Sequence, residues 1–225
     1  MEYITIPSAG TQATFGNLVS NKRNLCGGGN ETRGVFVGGL EPGSSYQKDI
    51  DYITIASTGA AKDFGDLTLE RLDTETVCNG SRLVTYAGSI PSSATNTMDY
   101  ITVASTGAAQ DFGDATNLGT NSAAACSATR MVIGSRVDPA KPIDYLTIAT
   151  KGDTINFGDM TVSRSSFASM SDCVRGVFSG GDGSPAQFSE IDYVNIATQG
   201  DAVDFGDLPF DNQQCAGCSN GHGGL

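Results

Sequence analysis

The residues best equipped for chemistry recur at nearly constant intervals. Asp51, Asp99, Asp144 and Asp192 open the phrases DYITIASTG, DYITVASTG, DYLTIATKG and DYVNIATQG, and Asp66, Asp114, Asp159 and Asp207 close the FGD that follows each. Two or three carboxylates converging on one cleft are the machinery of glycoside hydrolysis, which needs one acid protonated and another ionised. Copies of one residue in near-identical contexts do not provide that difference. The repeat therefore argues against catalysis, and no catalytic residue is assigned. Calcium held by aspartates is not favoured either, because no DxDxDG loop is present.

Arginines recur with the acids. Arg33, Arg82, Arg130 and Arg175 each begin a short β-prone segment, RGVFVGG, RLVTYAG, RMVIGSR and RGVFSGG. The expectation is one structural ion pair per repeat, Arg33 with Asp66, Arg82 with Asp114, Arg130 with Asp159 and Arg175 with Asp207. In a fifth, divided copy the corresponding residues are His222 and Asn17, so both charges vanish together. Near the C-terminus, CAGCSNGH places Cys215, Cys218 and His222 at a spacing suited to zinc, but a fourth ligand is not evident. The plainer reading is a closing strand that carries a repeat cysteine, with no metal and no cofactor. His222 is the only histidine and no GxSxG context exists, which weighs against a histidine-based triad. CGGGN at 26–30 lacks the Lys and helix of a phosphate loop and reads as a turn.

The elements that must position these residues are set by the repeat. Phe15, Phe64, Phe112, Phe157 and Phe205 follow one another at intervals of 49, 48, 45 and 48 residues, and a worn copy, EYITIPSAGTQATFGN, occupies 2–17. A period near 48 without helical periodicity excludes the common helical arrays and leucine-rich repeats. Each unit reads as four short strands: a before the arginine, b from the arginine, c at DYITIAS and d at DFGDLT. In strand c neither face is strongly polar, as expected for a sheet covered on both sides. A Gly at 10, 59, 107, 152 and 200 stands five residues before each Phe and marks a fixed c–d turn.

Composition agrees with an all-β chain. It has 225 residues, 29 Gly, no Trp and 17% charged residues. That length suits one domain. The net charge of −12 repels phosphate backbones, so nucleic acid is not an expected partner. No apolar run reaches membrane-spanning length. The N-terminus has neither a basic nor an apolar signal region, which predicts a chain that is not exported by a signal peptide. The repeat cysteines are expected as buried free thiols, since equivalent positions in neighbouring units lie too far apart for a disulfide.

Strand b ending in Gly-Gly, a variable loop, an aromatic in strand c and a turn into strand d resemble a kelch-type β-propeller blade over essentially the whole chain. The usual strand-d Trp is replaced by DFGD. The phrase DYITIASTG…DFGD is similar to repeats in structural and tail-fibre proteins of marine bacteriophages, particularly those infecting cyanobacteria. The resemblance implies a five-bladed β-propeller with four-stranded antiparallel blades at 20–68, 69–116, 117–161 and 162–208. A fifth blade is expected from strands c and d at 1–19 and strands a and b at 209–225, closing the ring and removing edge strands. The alternative is donation of that half-blade between subunits of a homo-oligomer.

The b–c loops differ in length and chemistry and should emerge on one rim, where Tyr46, Lys48, Arg136, Lys141 and Phe188 are the candidate binding residues. The implied function is a non-enzymatic virion component, a fibre, decoration or receptor-binding propeller made in the host cytoplasm. Its partners would be other virion proteins or a host-surface glycan or protein, without membrane insertion. A cellular lectin-like or scaffold propeller is the alternative, and a carbohydrate-active enzyme stands third.

Overall fold

The computed structural model describes residues 1–5, 10–137, 140–183 and 186–217. The chain is all-β, and its strands form antiparallel sheets with no helix among the described residues. Four sheets repeat one plan in the order a-b-c-d. The first holds Cys26–Gly29, Arg33–Val37, Asp49–Thr54 and Lys62–Asp66, and the second Glu75–Cys78, Arg82–Tyr86, Thr97–Thr102 and Gln110–Asp114. The third holds Ala123–Cys126, Arg130–Gly134, Pro142–Thr147 and Ile155–Asp159, and the fourth Ala168–Ser171, Arg175–Ser179, Ala186–Asn195 and Val203–Asn212. Strands b and c match the expected RGVF and DYITI segments, and strand a lies in the stretch that the repeat left for it.

The hydrophobic core is divided among the spaces between successive sheets. Val35, Ile50 and Phe64 of the first pack with Leu83, Ile101 and Val103 of the second. Val84, Met98 and Phe112 of the second meet Met131, Ile133 and Leu146 of the third. Val132, Ile143 and Phe157 of the third meet Phe178, Val194 and Ile196 of the fourth. Strand c supplies apolar residues to both faces for this reason. Within each sheet the strand-c Tyr and strand-d Phe meet edge to face, as in Tyr52–Phe64 at 5.8 Å and Tyr100–Phe112 at 5.9 Å.

Backbone hydrogen bonds lock one unit to the next. The amides of Gly107 and Ala109 donate to the carbonyls of Phe64 and Asp66, at 2.7 and 2.8 Å, and those of Gly152 and Thr154 donate to Phe112 and Asp114 in the same way. The steric demand at this contact falls on the glycine of FGD. A Cβ on Gly113, at φ +141°, would lie 2.5 Å from the carbonyl of Gly152, whereas a Cβ on Gly152 itself would meet nothing.

The N-terminal copy forms a short hairpin, Glu2–Tyr3 with Ala13–Thr14, and docks on the first sheet through Gly59 N–H to Phe15 O, 2.8 Å. On the other side the expected closure is not made in the same way. Phe205 is 55% exposed where Phe112 is 2% exposed, and a Cβ on Gly206 would meet nothing within 4 Å. The N-terminal hairpin therefore covers the first sheet and leaves strand d of the fourth uncovered. Most of the segment expected to complete the fifth unit, 218–225, lies outside the described residues.

Candidate functional site

One residue per unit takes a left-handed backbone just before strand a. Asn24, Asp73, Asn121, Ser166 and Gln214 have φ between 51° and 54°. Asp73 N–H donates to Asn24 O (3.2 Å), Ser166 N–H to Asn121 O (2.9 Å) and Gln214 N–H to Ser166 O (2.8 Å). These residues and those that follow them, 24–27, 73–75, 121–123, 166–169 and 214–217, line a single cavity of about 610 Å³. The strands a lie side by side, linked by Thr76 Oγ1 to Gly27 O (2.9 Å) and Ser169 Oγ to Ala124 O (2.7 Å).

The b–c loops stand beside this cavity. Short bridges pair Arg23 with Leu40, Leu72 with Ser89, and Ser165 with Asp182, tying the start of each loop to the residue that precedes a left-handed position. Two loops fold into small hairpins, Leu40–Glu41 with Ser45–Tyr46 and Gly88–Ile90 with Ser93–Thr95. The candidate rim residues are distributed one or two per unit and are partly engaged. Tyr46 pairs across its hairpin with Leu40, and Phe188 packs over Gly183. Lys141 donates to Thr161 O at 2.6 Å, and Arg136 is half-buried. Lys48 meets Asp66 at 3.0 Å in solvent, and this contact holds its ammonium above the usual lysine range.

The expected Arg–Asp pairs are not the ones the fold makes. Arg33 lies opposite Thr54 while Asp66 lies opposite Asp49, at the other end of the same strand c. Each arginine instead reaches across to the following unit. Arg33 Nη1 donates to Val103 O (2.7 Å), Arg82 to Ile148 O (2.7 Å) and Arg130 to Ile196 O (2.9 Å). Their guanidinium groups, with that of Arg175, lie 4.3 to 4.8 Å over the strand-c tyrosines Tyr52, Tyr100, Tyr145 and Tyr193. Asp114 and Asp159 sit at exposed inter-unit contacts, where their amides donate to Asp153 and Asp201. Asp207 pairs across the sheet with Glu190.

The buried acids are the other set. Asp51, Asp99, Asp144 and Asp192 are sealed from solvent and do not line the cavity. Lys22 meets Asp51 at 3.2 Å, Arg71 meets Asp99 at 2.6 Å and Arg164 meets Asp192 at 2.8 Å. These three cations stand two residues before a left-handed position. Gly119 occupies that place in the third unit, where Asn117 donates to Asp144 at 2.8 Å. Asp144 Oδ1 has no partner among the described residues, and burial pushes this carboxyl above the usual range. The missed signal was legible: the left-handed residues recur at the same 49, 48, 45 and 48 intervals as the phenylalanines.

The cysteines are free thiols among the described residues. Burial pushes Cys26 up to about 12 and Cys126 to about 11. Cys215 lines the cavity, whereas Cys218 and His222, its companions in the weak metal motif, lie outside the described residues. Glu75, which composition and spacing did not single out, also lines the cavity, and burial raises its carboxyl to about 8. No family model and no curated protein matches the chain.

Proposed function

We propose that the chain is a five-bladed β-propeller serving as a non-enzymatic binding and structural component of a virus particle. The observation that carries this reading is the cavity to which five equivalent segments contribute, with loops of differing chemistry beside it. Rigid sheets around an axis, presenting variable loops at one end, make a binding device. The fifth blade combines the N-terminal hairpin with the segment from 209 onward. Its Tyr3 and Phe15 meet edge to face at 5.9 Å, as in the complete units, and Gln214 continues the series of left-handed residues.

The non-enzymatic reading draws support from the use made of the repeated acids. Asp51, Asp99 and Asp192 are each neutralised by an internal cation, and Asp144 is sealed against Asn117. The virion assignment rests on the resemblance of the repeated phrase to phage structural and tail-fibre repeats. Its partners are other virion proteins or a host-surface glycan or protein, met through Tyr46, Lys48, Arg136, Lys141 and Phe188.

Antibody detection in purified particles from the native source tests the assignment, with fixed stoichiometry expected. Absence from particles, together with glycan-array binding that is lost when the b–c loops are exchanged, would assign the chain to the cellular lectin-like class instead.

A further inference from the structure

The cavity between the strands a has one sign of charge. Its lining includes Asp73 and Glu75 and contains no Lys, Arg or His. Glu75 stands two residues after its left-handed position, where the other units have Cys26, Ala123, Ala168 and Ala216. It is thus the single ionisable oxygen acid at this level, and no basic side chain accompanies it. Asp73 is already engaged, accepting from Asn24 Nδ2 at 2.7 Å. Beside Glu75, Thr74 is 7% exposed and lines the same cavity, and its Oγ1 has no partner among the described residues.

A buried carboxylate without a counter-charge and a buried hydroxyl without a partner both cost free energy. A group with several N–H donors and a positive charge satisfies both at once. The cavity volume lies in the range of small-molecule sites. A bare divalent metal is a poorer fit, since calcium takes six to eight oxygen ligands and Glu75 supplies the one carboxylate at its level. The amides of Asn24, Asn121 and Gln214 and the hydroxyls of Ser122 and Ser166 remain for polar groups on the rest of a ligand.

We infer that the cavity binds a small organic cation bearing a primary ammonium, with the Glu75 carboxylate as its counter-ion and Thr74 Oγ1 as a second contact. This inference does not depend on the rim loops or on the virion assignment.

The titratable groups that share the cavity with Glu75 are Cys26, Asp73 and Cys215. Cys26 stays neutral through the working range, and Glu75 begins as a neutral acid near pH 7. Binding of an ammonium must then release a proton. Calorimetry of the full chain with n-butylammonium is the test, and 1-butanol serves as the uncharged twin.

The cation should bind on the order of twentyfold more tightly at about pH 8.5 than at about pH 6.5, with proton release at the lower pH. 1-Butanol should not bind. Glu75→Gln should remove both binding and proton release, and Thr74→Val should weaken binding several-fold. Carbon-13 titration of wild-type Glu side chains reads the same site without a variant: the Glu75 carboxyl should titrate near 8, and lower when butylammonium is present. Equal binding of 1-butanol, unchanged affinity in Glu75→Gln, or a Glu75 resonance unmoved by the cation would each overturn the inference. Exchange of the b–c loops should leave ammonium binding intact, which separates this site from the rim.

Discussion

Arg71 Nη2 lies 2.6 Å from Asp99 Oδ2, and both side chains are fully sealed from solvent. Arg71 Nη1 also donates to Thr97 O at 2.6 Å, while Thr68 gives Asp99 a hydroxyl donor at 2.6 Å and an amide donor at 3.1 Å. Burial lowers the Arg71 pKa, and the Asp99 charge opposes that fall. The pair ties the connection entering unit 2 to that unit's strand c. Replacing both members together by apolar residues can be nearly neutral, whereas removing one leaves a buried charge uncompensated. Asp99→Ala should therefore cost about 3–5 kcal/mol in urea unfolding. The pairing is refuted as a source of that loss if Arg71→Met with Asp99→Leu is no more stable than Asp99→Ala.

Asp144 should behave in the opposite sense, because the third unit has Gly119 where its neighbours have a cation. Burial raises the folded-state pKa of Asp144, with Asn117 acting against the rise. The folded protein then binds the proton more tightly than the unfolded chain, so this residue subtracts stability as pH rises from 3.8 through the raised value. Asp144→Asn should unfold at higher denaturant than the parent at neutral pH and match it in acid, below the ordinary aspartate range. A variant less stable at neutral pH than in acid, relative to the parent, contradicts this account.

These two aspartates also mark what could be read from the sequence. Periodicity identified the strands, the unit length and the Tyr52–Phe64 type of pairing, because residues facing two sheet neighbours leave a pattern in chain order. It did not reveal which cation meets which acid. Arg33 and Asp66 recur in step, but register puts them at opposite ends of strand c, while Lys22, Arg71 and Arg164 lie in connections of weak similarity. Periodic residues share a position within the unit, and that position alone does not make them neighbours. Glu75 was silent for the converse reason. It occurs once, so no repeat drew attention to it, and its setting exists only where five segments meet.

The strand-b arginines join neighbouring units. Arg82 donates to Ile148 O at 2.7 Å and lies 4.3 Å over the Tyr100 ring. A hydrogen bond from a charged donor contributes about 1.5–3 kcal/mol, and the ring contact about 0.5–1 kcal/mol at an exposed site. Arg82→Met should therefore lose about 2–3 kcal/mol. Arg82→Lys should recover only part, since an ammonium does not reproduce the planar stack. A double-mutant cycle with Tyr100→Leu separates the ring contact from the carbonyl contact, and a coupling of zero would remove the stack from the explanation.

The glycines of FGD report how far the ring of contacts extends. Gly113 and Gly206 share a strained backbone, φ +141° and +132°, but their surroundings differ. A Cβ at 113 would press on Gly152, while at 206 it meets open space. Alanine at either position carries the backbone penalty, of order 1–3 kcal/mol. The excess cost of Gly113→Ala over Gly206→Ala then measures the docking of one unit's c–d turn on the preceding strand d. Chemical unfolding should show Gly113→Ala as clearly the more damaging, and hydrogen exchange should show Gly152 N–H, which bonds Phe112 O, losing protection in that variant. Equal losses at the two sites would mean that Gly206 is covered in solution. The N-terminal hairpin would then dock on the fourth sheet as well as the first, and the amide of Gly10 would exchange as slowly as that of Gly152.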